Sequence, residues 1–173
     1  LKGYRFALDA ARILDANGLK FKMIFAGPAS KEELAFFEGF RNQNALQGCV
    51  EYLGVVKDAG TTLIPRSDII LLPSRTEGSP MSLLEALRAG KALLATRVGG
   101  IPELLKDGEN GFFVERDGSD IADKASRLLS NPELLRAFSD KSKGFFEEGF
   151  RIENVCELYR EAYSRAIDSF EER

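Results

Sequence analysis

Apolar residues along this chain alternate between short unbroken runs and longer stretches spaced by three and four. Ala7, Ala11 and Leu14 share one face across residues 4–16, which predicts a helix ended by Asn17-Gly18. The run at residues 21–26 predicts a buried strand closed by Gly27-Pro28. Ser30-x-x-Glu33 matches a capping box and opens a helix through about Asn44. A strand at residues 50–53 ends at Gly54, and a short helix follows over residues 58–66. The segment 68–72 contains Ile69-Ile70-Leu71-Leu72, too short for a helix, and predicts a buried strand stopped by Pro73-Ser74. Leu83, Leu84 and Leu87 give the next helix its apolar face, with Ser79 at the N-cap, Pro80 first in the helix and Ala89-Gly90 at its end. Residues 92–95 predict another strand, and Asn110-Gly111 a turn before Phe112-Phe113-Val114. Ile121, Ala122, Ala125, Leu128 and Leu129 mark a helix, and Asn131-Pro132-Glu133 starts another that runs to about Lys143. After Phe150, a last amphipathic helix carries Val155, Leu158, Tyr159, Ala162 and Tyr163 on one face.

Strands alternating with helices imply right-handed crossovers, hence a Rossmann-like α/β fold: a parallel sheet with helices on both faces. Ligands of such sheets sit beyond the carboxyl ends of the strands. Gly27-Pro28, Gly54-Val55, residues 74–81 and residues 98–103 all follow strands and should converge on one rim. With 173 residues and no repeats or linkers, the chain reads as a single domain, 1–173. Lys2-Gly3 leads straight into a helix, so the domain's first strand is expected upstream, in a longer protein of which this is a piece.

Composition narrows the chemistry. A net charge of −3 argues against a nucleic-acid surface. No apolar run approaches the roughly 20 residues of a membrane span. Cys49 and Cys156 are far apart and unpatterned, as buried free thiols in a reducing compartment would be. Histidine is absent, which removes the usual general base and the commonest metal ligand. Neither D-x-D nor an acidic cluster of coordination spacing occurs, so no metal site and no cofactor are expected.

The stretch that concentrates possible function is residues 75–86, a strand end, a Gly/Ser/Pro loop and a helix start. A helix N-terminus with free N–H groups attracts phosphate. Neither G-x-G-x-x-G nor G-x-x-x-x-G-K-[ST] is present, which disfavours dinucleotide dehydrogenases and P-loop ATPases. Glu77 and Glu85 bracket the helix start. Eight residues along a continuous helix span about 12 Å. That exceeds the roughly 5–5.5 Å or 6.5–9.5 Å between the carboxylates of a glycosidase. The two acids are better suited to holding opposite ends of one ligand, and a diphosphate flanked by hydroxyl-bearing groups is a nucleotide sugar. Structural roles stay open here: Ser82-x-x-Glu85 also matches a capping box, Glu77 could complement the helix dipole, and Gly99-Gly100 could be only a turn. Lys2 could be a solvated charge, and the Phe145, Phe146 and Phe150 group core or a docking surface.

Glu77-Gly78-Ser79-Pro80-Met81-Ser82-Leu83-Leu84-Glu85-Ala86 resembles the E-x7-E motif of the group 1 (family four) retaining glycosyltransferases of GT-B fold. Lys2-Gly3, Ala26-Gly27-Pro28, Tyr52-Leu53-Gly54-Val55, Gly90 to Thr96, Val98-Gly99-Gly100-Ile101-Pro102-Glu103 and Asn110-Gly111-Phe112 match in order. Phe150-Arg151-Ile152-Glu153-Asn154 is similar to the family's F-S-W-E-N with the tryptophan replaced. The resemblance implies one half of a GT-B enzyme, the C-terminal, donor-binding half. It implies that Glu85 holds ribose hydroxyls and that Glu77, the catalytic candidate, contacts the donor sugar. Gly78, Ser79, Pro80 and Met81 would meet sugar and diphosphate with Lys2 nearby, and Gly27, Gly54 and Val55 would lie near the nucleoside. The arginine that family members usually pair with that lysine is lacking.

The same resemblance implies sugar transfer with retention and without an essential metal, from a nucleotide sugar to a sugar or lipid-linked acceptor held by an N-terminal domain. The parent would be cytoplasmic and would touch a membrane only through that other half, as in polysaccharide biosynthesis; this piece alone would be inactive. The rivals are a nucleotide-sugar epimerase or hydrolase on the same scaffold, and a non-catalytic nucleotide-sugar sensor.

Overall fold

The computed structural model describes residues 2–171. Its elements alternate as the pattern predicts. Helix α1 is Tyr4–Ala16, β1 Met23–Phe25, α2 Lys31–Gln43, β2 Val50–Tyr52, α3 Ala59–Thr62, β3 Ile69–Leu72 and α4 Met81–Arg88. Then come β4 Ala92–Ala95, α5 Ile101–Leu104, β5 Gly111–Phe113, α6 Gly118–Leu129, α7 Pro132–Gly149 and α8 Ile152–Glu171.

All pairings between these strands are parallel, but they form two sheets where the sequence suggests one: β1-β2, and β3-β4-β5. Among the described residues no strand joins them. β4 is the middle strand of the larger sheet and all four of its residues are buried. Ala92 and Leu94 enter one apolar cluster, with α1, α6 and α7, while Leu93 and Ala95 enter another, with α4 and α5. Helices therefore cover both faces of this sheet, which is why β4 reads as an unbroken apolar run. Among the described residues β3 is paired only with β4, so each of its residues is half-buried, less than its four apolar residues suggest. A third cluster, around Leu8, Phe37, Leu46 and Val50, seats α1 and α2 on β1 and β2.

The helix starts follow side-chain chemistry. Ser30 and Glu33 form the reciprocal capping box, and Asn131 accepts from Leu134 N–H. Gly90, at φ 61°, donates to Leu87 O while Lys91 N–H donates to Ala86 O, a Schellman closure of α4. β1 is shorter than the expected 21–26 strand, Gly111 already belongs to β5 and α5 was not expected, and helix boundaries differ from expectation at three further places. α4 begins at Met81, because Pro80 has ψ 105° and its carbonyl already accepts from Leu83 and Leu84. Pro80 is thus the N-cap, and neither Ser79 nor Ser82 caps the helix. Residues 58–66 split into α3 and a 3-10 turn at Ile64–Arg66, since Pro65 has no N–H to continue the ladder. α7 runs on to Gly149, carrying Phe145 and Phe146 onto the second cluster beside Phe150, so this aromatic group packs, partly buried, against the core.

Both cysteines are free, but Cys49 is only partly buried and Cys156 is exposed, contrary to expectation. Cys156 lies on α8, where Leu158, Tyr159, Tyr163 and Ile167 are also exposed, so beyond the half-buried Val155 the apolar face of α8 has no cover among the described residues. Among the described residues no helix is long and apolar enough to cross a membrane.

Candidate functional site

The loop after β3 is built on buried hydroxyls. Ser74 follows Pro73 just past the end of the strand and is fully buried, and Thr96, just past β4, is 4% exposed. Thr96 N–H donates to Leu72 O, which carries the β3-β4 ladder to its end, and Thr96 Oγ1 donates to Ser74 O at 2.6 Å. Ser74 Oγ then donates to Glu77 Oε1 at 2.6 Å. Lys2 Nζ reaches the same oxygen at 2.7 Å, its side chain 68% exposed against 8% for Glu77. Burial pushes the Glu77 carboxyl up, but the Lys2 and Ser74 hydrogen bonds and the Lys2 charge outweigh it, and the net shift is downward.

Gly99-Gly100 is more than a turn. Gly99 has φ 53°, and a Cβ there would strike the carbonyl of Glu77. Gly100 N–H donates to Gly78 O at 2.8 Å. The loop after β4 thus lies directly against the backbone of Glu77-Gly78, an approach only glycine permits. Gly3 makes a similar approach to Pro73 O at the entry to α1, which brings Lys2 over the end of β3.

Glu85 sits on α4 with its carboxylate against Gly60 of α3: a Cβ on Gly60 would lie 2.5 Å from Glu85 Cδ. No hydrogen bond from a described residue reaches that carboxylate. It lines a cavity of about 320 Å³ with Gly60, Thr61, Pro65, Arg88 and Ala89. Around the N-terminus of α4, Gly78 and Ser79 are exposed, Pro80 is buried, and Met81 is 61% exposed.

On the other sheet, Gly27 N–H donates to Gly54 O at 2.7 Å and Tyr52 OH donates to Gly27 O at 2.8 Å. The loops after β1 and β2 are therefore clamped together, with Val55 beside them 76% exposed. The expected site residues fall into two groups, Lys2 with Glu77 to Met81 and Gly27 with Gly54 and Val55. Glu85 lies against α3, which follows the second group in the chain. Arg75 and Arg97 lie exposed past β3 and β4, and the Arg97 guanidinium stacks 3.8 Å over Phe113. Among the described residues no three His, Cys, Asp or Glu side chains group as metal ligands.

Sequence reasoning assigned no role to Ser74, Thr96, Tyr52 or Gly60. The available signal was a hydroxyl directly after an apolar strand, at Ser74 and again at Thr96.

A family model described as glycosyl transferases group 1 matches residues 1–131. An uncharacterized glycosyltransferase of Methanocaldococcus jannaschii is 31% identical over 96% of this chain and 46% of its own length. N-acetyl-alpha-D-glucosaminyl L-malate synthase of Bacillus anthracis is 36% identical over 62% of this chain and 28% of its own. The chain thus spans about half, or less, of these relatives. Among solved structures, the C-terminal domain of a group 1 glycosyl transferase from Francisella tularensis superposes with a TM-score of 0.77 at 26% identity, over 87% of this chain and 80% of that one. An Anabaena protein in complex with UDP gives a TM-score of 0.84 at 19% identity, over 95% of this chain and 45% of that one, a likeness of fold.

Proposed function

The chain belongs to the group 1 glycosyl transferases, and from that premise we propose that it is the half of the enzyme that binds a nucleotide-sugar donor. Transfer would proceed with retention, to a sugar or lipid-linked acceptor held by the other half, from the cytoplasmic side. The observation that carries this reading is the pair of carboxylates flanking the N-terminus of α4. Glu77 has one oxygen engaged by the protein and the other without a partner among the described residues. Glu85 has neither oxygen engaged among the described residues. Two carboxylate acceptors beside free helix N–H groups suit a ligand with a diphosphate between two sets of hydroxyls. Glu85 would take the ribose, Glu77 the sugar, and Gly78, Ser79, Pro80 and Met81 the diphosphate, with Lys2 moving from Glu77 toward it. Gly27, Gly54 and Val55 would border the base.

The test is acceptor-dependent nucleotide release by the full-length enzyme across uridine, guanosine and adenosine diphosphate sugars, beside calorimetric titration of this chain with the matching diphosphates. One base should be preferred in both, with binding to the chain alone weak, near millimolar. The chain alone should transfer no sugar; transfer by it would overturn the two-domain reading.

Charge on the leaving diphosphate would be met by backbone N–H groups and basic side chains, so magnesium should be dispensable. Full-length enzyme in excess chelator is expected to keep its activity. Complete loss, restored by added magnesium, contradicts this unless the other half carries the metal.

A further inference from the structure

We infer that Ser74, held in turn by Thr96, is a positioning residue that commits one oxygen of Glu77 to the protein and presents the other to the donor sugar; this deepens the donor-binding reading and rests on it. Both hydrogen bonds to the carboxylate, from Ser74 Oγ and Lys2 Nζ, end on Oε1. Oε2 has no partner among the described residues. Nor is it one of their buried unpartnered side-chain atoms, which are Arg41 Nε and Arg116 Nε, so it is not fully buried. The carboxylate is thereby oriented, with one acceptor spent and one free.

The two donors are not equivalent. Lys2 is a flexible, largely exposed cation, and a diphosphate at the N-terminus of α4 would compete with Glu77 for its charge. Ser74 is fully buried between the ends of β3 and β4. Its backbone carbonyl takes the Thr96 hydroxyl, and the loop beyond it rests against Gly99-Gly100. When the ammonium turns to phosphate, the hydroxyl is the contact that remains. A site held by buried second partners on strand ends keeps its geometry better than one held by a surface charge. The downward shift of the Glu77 carboxyl, in which burial is overcome by Lys2 and Ser74, is consistent with this and leaves an acceptor-only group at neutral pH.

The experiment pairs two readouts. In this chain, carbon-13 titration of the Glu77 carboxyl is expected to show a raised midpoint in Ser74→Ala. In the full-length enzyme, Ser74→Ala should lower kcat by about tenfold, one hydrogen bond to a charged group, with little change in KM for the donor. On a Glu77→Gln background the same change should cost nothing further, because Ser74 acts through that carboxylate. Thr96→Val should move both readouts in the same direction and Thr96→Ser should restore them, which keeps the inference falsifiable if Ser74→Ala does not fold. An unmoved midpoint overturns the positioning role, and so do losses that multiply in the double variant. If Glu77→Gln leaves turnover intact while Ser74→Ala still moves the midpoint, the sugar-side reading of Glu77 fails, and the functional half of this inference falls with it.

Discussion

Gly99→Ala is expected to lower the melting temperature by about 5–15 °C and to cut turnover of the full-length enzyme by about a hundredfold or more. Two effects add. At φ 53° an alanine costs about 1–2 kcal/mol in backbone strain. Its Cβ also lands on the carbonyl of Glu77, and a backbone atom cannot swing aside as a side chain can. Forcing atoms into such a contact costs about 1–3 kcal/mol more. The relief available is to push Glu77-Gly78 away, and a shift of about 1 Å at a ligand-holding group is worth about two powers of ten in rate. Gly108 is the built-in control. It also has positive φ, 76°, but nothing lies within 4 Å of its would-be Cβ. Gly108→Ala should therefore show the strain alone, a few degrees, with activity kept. A thermal melt and a steady-state assay of both variants decide it. If the two alanines behave alike, Gly99 serves only its own turn and the contact with Glu77-Gly78 carries no function.

What could be read from the sequence and what could not divide along physical lines. The capping box at Ser30, the Asn131 cap and the Gly90 closure were legible because each is made by residues within a few positions of one another. The unbroken run of β4 announced a strand, and its burial on both faces fits the helix-covered sheet expected of alternating strands and helices. The half-exposure of β3 was not legible, because four apolar residues look the same whether a strand has one neighbour or two. The exposed face of α8 escaped for the same reason: an amphipathic stripe says that something is covered, not what covers it. Within the candidate site, Glu77, Glu85 and the glycines after the strands stood out by spacing, aided by the family resemblance. The bonds that tie Glu77 into the fold did not: Ser74 is only three residues away and went unassigned, while Lys2 is 75 residues away and Thr96 reaches Ser74 across 22. Such pairs exist only once parallel strands bring their ends to one edge. The N-cap of α4 was misassigned by one residue because the rule that favours proline in the first turn cannot see that the ψ of Pro80 is extended.

Glu85→Gln should weaken binding of the cognate nucleoside diphosphate by about ten- to a hundredfold, while Glu77→Gln should leave that affinity nearly unchanged and instead reduce turnover. The difference follows from where each carboxylate is anchored. Glu85 is fixed on α4, packed on Gly60 and without a hydrogen-bond partner among the described residues, so in the proposed pose its carboxylate would be free to accept from ribose. Hydrogen bonds to a charged acceptor are worth about 1.5–3 kcal/mol each, and the amide surrenders part of that. Glu77 has Oε1 already bonded to Ser74 and Lys2, so a ligand meets only Oε2, and in the proposed pose that ligand group is a sugar hydroxyl absent from a plain diphosphate. Losing its charge would also free Lys2, which adds to diphosphate attraction and works against any loss of affinity. Because glutamine keeps the shape of glutamate, neither change opens a cavity. If the two glutamates are structural only, both variants lower the melting temperature slightly and bind as before. Calorimetric titration of both variants beside a thermal melt separates the cases, and an equal loss of diphosphate affinity in the two would end the division of labour proposed for them.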